Sequence, residues 1–448
     1  MDNEGRKKLL ISEIKSGNCV AFIGAGFSAP AVHTWTELID KLAQNTEHTD
    51  GVKDQVNMIL GHDSKASNPL FDREAAAELI EDDLKNKGID HFREEVRNAL
   101  YRNGIEGNAE VTDRLELLNS IPFDSVLTTN FDSVLTTKFD SKSSRGKALH
   151  KANLEDLLRN RKRGWSDGFD INGKPKLSPV ITLHGDIEDD SDDAQSLVFS
   201  RSGYRKLLFE TSNYQSLIRA VFATKTVVFL GFSFSDAYLN LIRSEVISMF
   251  MPHGKTPVPF AYAVMDDISE AQVDYLAKHE GISAIRYCKK NENDHSGFTE
   301  ILRDISNGTK PRNVVRGLLE GKKIVWFDPE PKNNLPGIEE LKKSMPVENI
   351  ILKSELEEAR NQLQSGHVDL LITHWGHNLH ENSDGIREPN ALSLLKTIRT
   401  KNLPIPTLVF ATKKYADTNR AAAVKQGAFD YIYEFPDLYR RIEDLFKT

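Results

Sequence analysis

The sequence predicts an α/β protein of two domains, each built around a parallel β-sheet. In residues 1–305, short apolar runs alternate with helical patterns, which is typical of a parallel sheet covered by helices on both faces. A second alternation of the same kind begins at Lys323 and continues to residue 448. The length of 448 residues agrees with two or three domains.

The N-terminal domain, residues 1–305, has an apolar strand that runs directly into a glycine turn and a helix. No second strand follows promptly, so the helix-rich region 73–102 is predicted to be an insertion between the first and second strands. The predicted strands of this domain are Val20–Ile23, Ser125–Thr129, Pro179–Leu183, Ser196–Phe199, Thr226–Leu230 and Pro259–Val264.

The segment 306–321 is predicted to be the linker, because its polar first part, 306–313, contains a glycine and a proline; a short helix is expected to follow and to end near Gly321. The C-terminal domain, residues 322–448, again alternates strands with helices. Its first predicted strand begins at Lys323, and the others are Asn349–Leu352, Asp369–Thr373, Thr407–Ala411 and Tyr431–Tyr433.

The composition excludes several classes of protein. A formal net charge of −8 argues against a surface devoted to nucleic acid, and the basic cluster Arg159–Arg163 is interpreted as a solvated helix end, so direct nucleic-acid binding is not expected. Two distant cysteines, Cys19 and Cys288, provide neither a disulfide framework nor a cysteine zinc cluster. The sequence has no signal-peptide core and no apolar window of membrane length, so we expect a cytoplasmic protein without a membrane partner.

Residues 24–29 read G-x-G-x-x-A at the end of the first strand. In a nucleotide-binding fold, Gly24 would permit the tight turn, Gly26 would let the backbone approach a pyrophosphate, and N–H groups of the next helix would bind the anion. The same pattern also fits a glycine turn that only punctuates the chain. No acidic residue for a ribose stands at the end of a second strand about twenty residues later, which separates this chain from ordinary nicotinamide dehydrogenases.

Three further strands end in polar residues, at the edge where a parallel sheet places its chemistry. Asn130 and Asp132 follow the second predicted strand, His184 follows the third, and Ser233 and Asp236 lie in a second glycine turn. Each has a structural alternative: an Asx turn for the first pair, a buried histidine, and helix caps for the last pair. The combination of a glycine turn, an amide with a carboxylate, an imidazole and a second glycine turn favours a site.

In that order, these segments resemble the sirtuin family, whose pattern is a G-A-G-x-S turn, a T-x-N-x-D segment, an H-G pair and a later G-x-S turn. The resemblance covers residues 1–305 and implies a Rossmann-like parallel sheet of the sirtuin type, with a helical insertion. The matching segments are Gly24-Ala-Gly-Phe-Ser28, Thr128-Thr-Asn-Phe-Asp132, His184-Gly185 and Gly231-Phe-Ser233.

The resemblance implies that NAD+ binds and that the bond between nicotinamide and ribose is broken. Asn130 would position the attacking group or water near the anomeric carbon, and His184 would contact a ribose hydroxyl and act as general base. The residues that the resemblance assigns to NAD+ binding are Gly24, Ala25, Gly26 and Ser28 at the pyrophosphate, Asp132 near the nicotinamide ribose, and Gly231, Ser233 and Asp236 on the adenosine side.

The chain departs from the protein-deacylating sirtuins, which carry four cysteines that hold a structural zinc. It has no cysteine between Cys19 and Cys288, so we expect no zinc, and water becomes the favoured acceptor. The chain also resembles the bacterial sirtuin-like effectors that deplete NAD+ during phage infection, which implies hydrolysis of NAD+ to nicotinamide and ADP-ribose. Two alternatives stay open: an NAD-dependent protein deacylase, and a non-enzymatic sensor of NAD+ or ADP-ribose.

That bacterial branch implies further properties. Its members work as oligomers or beside a separate ATPase, so a homo-oligomer and a partner such as a HerA-like DNA translocase are implied here. The segment Phe199–Tyr204 also looks like that branch. Within it, Arg201 and Tyr204 are interpreted either as ligand contacts or as surface residues.

The C-terminal domain resembles the receiver domain of response regulators, which implies a flavodoxin-like α/β fold. In an active receiver the third strand ends in a phosphorylated aspartate, and a lysine precedes the final proline region. Here His374 and Glu434 stand at those positions, and Asp328 is the acid that remains at the first strand. A histidine cannot form a phosphoaspartate, so we predict a pseudo-receiver that contacts proteins. The cluster of His374, His377 and His380 is interpreted as incidental histidines in a loop rather than a metal site.

Overall fold

The structure is a computed structural model, and by its internal contacts the chain divides into two compact units, with a boundary between Ser306 and Asn307. The predicted boundaries of domains and linker stay predictions. The residues that the structure describes are 1–29, 31–44, 50–61, 72–102, 108–136, 176, 178–188, 197–210, 214–234, 237–250, 261–289, 291, 294–333, 338–339, 341–342, 349–376, 380–381 and 387–446.

The first unit is built on a six-stranded sheet in which every neighbouring pair is parallel, with strand order β3-β2-β1-β4-β5-β6. This is the doubly wound order, in which the direction of winding reverses between β1 and β4. The predicted Rossmann-like fold is therefore confirmed. The strands are β1 Cys19–Ile23, β2 Val126–Thr128, β3 Val180–Thr182, β4 Thr226–Leu230, β5 Ala261–Asp266 and β6 Ile282–Tyr287.

Helices cover both faces of this sheet, and six of the described helices lie between β1 and β2, where an insertion is predicted. The inserted helices form a core of their own, which includes Ile39, Ile80 and Phe92. The helices of the unit are Asn3–Lys15, Ala25–Ser28, Trp35–Ala43, Asp50–Leu60, Arg73–Asn86, Ile89–Leu100, Ala109–Ser120, Arg201–Arg205, Tyr214–Thr224, Ala237–Phe250, Glu270–His279 and Ser296–Thr309, with a π-helix at Lys206–Glu210.

Two strand predictions for this unit are wrong. The described residues 197–199 are buried but form no strand, and Val198 donates a backbone hydrogen bond to the carbonyl of His184 instead. The sequence prediction also omits β6, which pairs with β5 along its whole length at the edge of the sheet. An edge strand tolerates polar residues such as Arg286, so its apolar pattern is weaker than that of a central strand.

The second unit is built on a five-stranded parallel sheet of order β13-β12-β9-β7-β8. Numbered within the unit, this is the flavodoxin-like order 2-1-3-4-5, so the predicted fold class is confirmed. The strands are β7 Ile324–Phe327, β8 Ile350–Lys353, β9 Leu370–Thr373, β12 Thr407–Phe410 and β13 Asp430–Ile432, beside a two-stranded antiparallel ribbon of β10 His380–Glu381 and β11 Arg387–Glu388.

The segment predicted as a linker is mostly helical. The helix Ser296–Thr309 runs into it, and the helix Pro311–Leu318 follows at once. The second of these helices buries Val314 and Val315 in the same core as Trp326 of β7. The other helices of the unit are Leu356–Ser365, Asn390–Thr400, Ala416–Lys425 and Phe435–Phe446, with short 3-10 turns at Pro331–Asn333 and Lys413–Tyr415. Among the described residues, no helix has the length and apolar character needed to cross a bilayer.

Candidate functional site

A cleft opens at the carboxyl ends of β1 to β4, where the winding of the six-stranded sheet reverses and ligands of such sheets bind. Counted to its open mouth and including open solvent, the cleft contains about 930 Å³ of space between atoms. Its lining residues are Gly24, Ala25, His33, Trp35, Leu38, Glu74, Leu100, Thr129, Asn130, Phe131, Asp132, His184, Val198, Phe199, Ser200, Tyr204, Phe232 and Ser233.

The two glycine turns pack directly against each other. The N–H of Gly24 donates to the carbonyl of Leu230 (3.0 Å), and the N–H of Gly26 donates to the carbonyl of Gly231 (2.9 Å). A Cβ at Gly24 would lie 2.5 Å from that same Gly231 oxygen, and one at Gly231 would collide with the backbone nitrogen of Phe27. All three glycines are therefore required because two backbones approach without side chains between them.

This packing gives Gly26 a structural reason to be glycine. Its N–H donates to the carbonyl of Gly231, and a Cβ there would lie 2.9 Å from that oxygen, so the glycine permits contact between the two turns, while its predicted role at a pyrophosphate stays a prediction. Gly24 and Ala25 line the cleft, whereas Gly26, Ser28 and Gly231 are not among its lining residues. Ser233 also lines the cleft, and Asp236 lies outside the described residues.

Ser28 joins the two polar residues that follow β2. The Asn130 side-chain amide donates to Ser28 Oγ (3.4 Å), and this hydroxyl donates to the Asp132 carboxylate (3.3 Å). All three residues are buried, with Asn130 7% and Asp132 5% exposed. The first glycine turn and the segment after β2 thus form one hydrogen-bonded unit, and Ser28 is its link.

Thr128 makes the chain turn at the end of β2. Its hydroxyl donates to the carbonyl of Ile23 (3.0 Å), the last residue of β1, and accepts from the backbone N–H of Asn130 (3.0 Å). Asp132 caps the next bend by accepting from the N–H of Val134 (3.1 Å). The Asx turn that the sequence allows is therefore present, and it aims the Asn130 and Asp132 side chains at the cleft.

Burial raises the pKa of Asp132 to about 6, and the negative charge of Asp186 adds to this effect. Hydrogen bonds from Val134, Ser28 and Asn130 act in the opposite direction. A carboxyl group held in this way changes its charge close to neutral pH, which is a common property of groups in functional sites.

His184 lies at the end of β3, is 4% exposed, and lines the cleft beside Asn130. Gly185, with φ of +87°, allows the chain to turn sharply after it. The ring of Tyr204 meets the imidazole edge-on at 5.0 Å and stacks on Tyr238 at 4.7 Å. Aromatic side chains therefore orient the histidine, and Tyr204 is part of the cleft.

Arg201 is one of the two residues that the sequence left open, and it lies outside the cleft lining. Its guanidinium forms ion pairs with Asp72 and, at 3.2 Å, with Glu74 of the inserted helix Arg73–Asn86. Its side chain is half-exposed. Of the two alternatives, a ligand contact or a surface residue, the structure supports the surface residue for Arg201.

The insertion supplies cleft residues that sequence reasoning missed, namely His33, Trp35 and Glu74. Trp35 begins a helix capped by Thr34 and meets the ring of Phe199 edge-on at 5.2 Å. Burial, aided by the positive charge of Arg102, holds the pKa of His33 below its usual value. Their signal in the sequence is weak because no strand end precedes them.

Arg114 supports the first glycine turn from behind the cleft. This arginine is 1% exposed, donates to the carbonyls of Phe27 (2.9 Å) and Gly26 (3.3 Å), and forms an ion pair with Glu110 at 2.5 Å. Its guanidinium also lies 5.0 Å above the ring of Phe298. Nothing in the local sequence marks it, since its partners come from three separate segments.

The second unit carries different groups at the corresponding edge. Asp328 after β7 is buried and accepts from the N–H of Glu330 (2.9 Å), and His374 follows β9 and accepts from the N–H of Gly376 at Nδ1 (3.1 Å). His377 and the side chain of His380 lie outside the described residues, as does Arg159–Arg163. Within the part of the chain that the structure describes, no group of three His, Cys, Asp or Glu residues could hold a metal ion.

Comparisons with known proteins agree with the geometry. Residues 124–285 match the model of the SIR2-like domain. The NAD(+) hydrolase ThsA of Enterococcus faecium is 26% identical over 251 residues, covering 54% of this chain and 43% of the relative. The protein of the same name from Bacillus cereus is 22% identical over 316 residues, covering 67% and 56%. The chain thus spans about half the length of the curated relatives that it matches.

Two solved structures are similar to this chain. The receiver domain of a Francisella response regulator has a TM-score of 0.22 at 20% identity, covering 28% of this chain and 97% of its own. A putative two-component response regulator/GGDEF protein has a TM-score of 0.24 at 14% identity, covering 50% and 79%. The segment that matches the SIR2-like domain, residues 124–285, carries Asn130, Asp132 and His184.

Proposed function

We propose that this protein hydrolyses NAD+ to nicotinamide and ADP-ribose in the cleft of the first unit. The observation that carries the proposal is the convergence of Asn130, Asp132 and His184 at one switch point, between two glycine turns. The similarity to proteins named NAD(+) hydrolase supports the same reaction. Asn130 and His184 favour catalysis over sensing, since binding alone depends less on these two side chains.

In this proposal, Asn130 holds a water molecule against the anomeric carbon of the nicotinamide ribose. A new C–O bond forms, the C–N bond breaks, and its electron pair leaves with nicotinamide. His184 contacts a ribose hydroxyl and, as general base, takes up the proton that the attacking water loses. The reaction therefore consumes one water and releases one proton. Asp132 contacts the region of the same ribose, and Gly24, Ala25 and Ser233 contact the rest of the dinucleotide.

In this proposal, Ser28 and Gly231 act indirectly, because they do not line the cleft. Ser28 links Asn130 to Asp132, so it keeps the amide and the carboxylate in a fixed relation. Gly231 lets the two turns close on each other. Both residues therefore support NAD+ binding indirectly, and the same applies to Gly26.

The test measures nicotinamide release by the purified full chain from NAD+, with and without an acyl-lysine peptide. We expect release without peptide and a loss of at least about 100-fold in kcat for Asn130→Ala. Asn86→Ala, at an exposed position on an inserted helix, is the matched control and should retain activity. Release that requires the peptide would establish a deacylase instead, and binding of NAD+ without any release would establish a sensor.

We further propose that this activity depletes NAD+ in antiphage defence, in a cytoplasmic homo-oligomer. The resemblance to bacterial sirtuin-like effectors supports that role. In the same proposal, the second unit is a pseudo-receiver that contacts proteins, since His374 and Glu434 stand where phosphorylation chemistry needs an aspartate and a lysine. A separate ATPase such as a HerA-like DNA translocase is the proposed kind of partner, and co-purification with the full chain tests it.

A further inference from the structure

Asp186 lies two residues after His184, is 4% exposed, and does not line the cleft. Its carboxylate accepts hydrogen bonds from the hydroxyls of Ser133 and Thr136, both at 2.6 Å, and from the N–H of Glu188 at 3.0 Å. Short O–H···O⁻ hydrogen bonds are among the stronger ones in proteins. Both hydroxyls belong to the segment after β2, which also carries Asn130.

Backbone hydrogen bonds join the same two segments on either side of His184. The N–H of Leu183 donates to the carbonyl of Thr128, and the N–H of Ile187 donates to the carbonyl of Phe131, each at 2.8 Å. Hydrogen bonds therefore hold the segments 128–136 and 183–188 together, and these two segments are called the loop pair below. The side chain of Asp186 adds hydrogen bonds to Ser133 and Thr136, which lie further along the first segment than the two backbone hydrogen bonds.

The insertion holds this loop pair from outside. Arg93 Nη2 donates to the carbonyls of Asp186 (3.2 Å) and Ile187 (2.7 Å), and the hydroxyl of Tyr101 accepts from the N–H of Ser133 (3.1 Å). Both residues come from the end of the insertion that precedes β2. Asp186 thus belongs, through both its carboxylate and its backbone carbonyl, to a buried network to which three segments of the chain contribute.

We propose that Asp186 is a positioning residue for the proposed hydrolysis, because its carboxylate fixes the segment that carries Asn130 against the segment that carries His184. The kinetic part of this inference rests on the proposed function. A misplacement of about 1 Å between reacting groups can cost about 100-fold in rate, so a residue that never touches the substrate can control kcat. Asp186 is placed to do so through hydroxyls rather than through the ligand.

The main variant is Asp186→Asn, which keeps the shape of the side chain but replaces one acceptor oxygen with a donor. We expect kcat to fall about tenfold or more with KM within about twofold, since the interaction acts on the geometry of the reacting groups. Ser133→Ala and Thr136→Val each remove one hydroxyl and should give smaller losses. Combined with Asp186→Asn, neither should add its full effect. Asp113→Asn, at an exposed ion pair on the helix Ala109–Ser120, is the matched control and should change neither constant.

Amide hydrogen exchange tests, without any substrate, whether Asp186 holds the loop pair together. Asp186→Asn should accelerate exchange at Asn130, Leu183 and Ile187 relative to the natural chain and to Asp113→Asn. A rise in KM at unchanged kcat, or exchange rates equal to those of the natural chain, would overturn the inference. If the natural chain releases no nicotinamide, the proposed function fails while exchange still decides the role of Asp186. If Asp186→Asn does not fold, the Ser133 and Thr136 variants decide it.

Discussion

At the carboxyl edge of the six-stranded sheet, four strand ends bring two glycine turns, an amide, a carboxylate and an imidazole to one cleft. At the corresponding edge of the five-stranded sheet, Asp328 and His374 each cap their own loop by accepting a backbone N–H. Both sheets are parallel and doubly wound, so topology alone places side chains at both edges. The difference teaches that residue types and the contacts between loops, not the fold, distinguish the two edges.

The two histidines at strand ends give the sharpest test of this contrast. We expect His184→Ala to lower kcat for nicotinamide release by at least about 100-fold, because it removes the proposed general base. His374→Ala should leave kcat within about twofold. Steady-state kinetics of both full-length variants measures this, with the exposed His279→Ala as a further control. Equal losses in the two units would break the comparison.

Two glycines with similar backbone angles differ in their surroundings. Gly231 has φ of +63° and lies against the backbone of Phe27, whereas Gly321 of the second unit has φ of +71° and open space around its Cα. Gly321→Ala should cost about 1 kcal/mol of unfolding free energy for the left-handed conformation alone. Gly231→Ala should cost at least about 3 kcal/mol, since a backbone clash adds to that strain. Denaturant unfolding of both variants checks the difference, and similar costs would contradict the packing of the two turns.

Two buried aspartates should respond in opposite directions to the same substitution. Burial raises the pKa of Asp132 to about 6, whereas Arg420 and the neighbouring Arg441 hold the pKa of Asp430 below its usual value. An acid whose pKa is raised on folding destabilises the folded state as pH rises from about 4 through its folded pKa. Asp132→Asn should therefore stabilise the protein by up to about 3 kcal/mol at pH 7.5 and by about half as much at pH 5, where only part of the difference in protonation has developed.

Asp430 has the opposite sign. Its lowered pKa contributes stability that is present above the pKa of the unfolded chain and is lost as pH falls through the folded pKa. Asp430→Asn should therefore destabilise the protein at pH 7.5, where the carboxylate pairs with Arg420 and Arg441 at 2.8 and 2.7 Å. Thermal unfolding of both variants at the two pH values is the measurement. A loss of stability in Asp132→Asn at pH 7.5 would show that its hydrogen bonds outweigh its burial.

The strand ends were predictable from sequence because a buried parallel strand is a short apolar run, and its first polar residue marks the edge of the sheet. Asn130, Asp132 and His184 follow β2 and β3 in this way, and the structure brings them to one cleft. The extra strand predicted at Ser196–Phe199 shows the weakness of the same rule, since a buried loop is also apolar. The same rule missed the edge strand β6, because polar residues such as Arg286 interrupt its apolar pattern.

Other parts of the site have no local pattern at all. Trp35 and Glu74 reach the cleft because the inserted helices fold back over it, and Arg114 supports Phe27 from 87 residues away. Asp186 stands beside His184 in the sequence, yet its partners Ser133 and Thr136 are 53 and 50 residues distant. Such contacts depend on how separate segments meet, which periodicity does not describe.

The sequence by itself determined the two parallel sheets and which residue types stand at their edges, because apolar periodicity and strand-end polarity are local properties of the chain. Only the tertiary structure decided that the first glycine turn is closed by Gly231, that Ser28 joins Asn130 to Asp132, and that Asp186 ties two loops together. Those features arise when backbones and side chains far apart in sequence come within hydrogen-bonding distance and exclude water, which raises the pKa of Asp132 and gives the cleft its geometry.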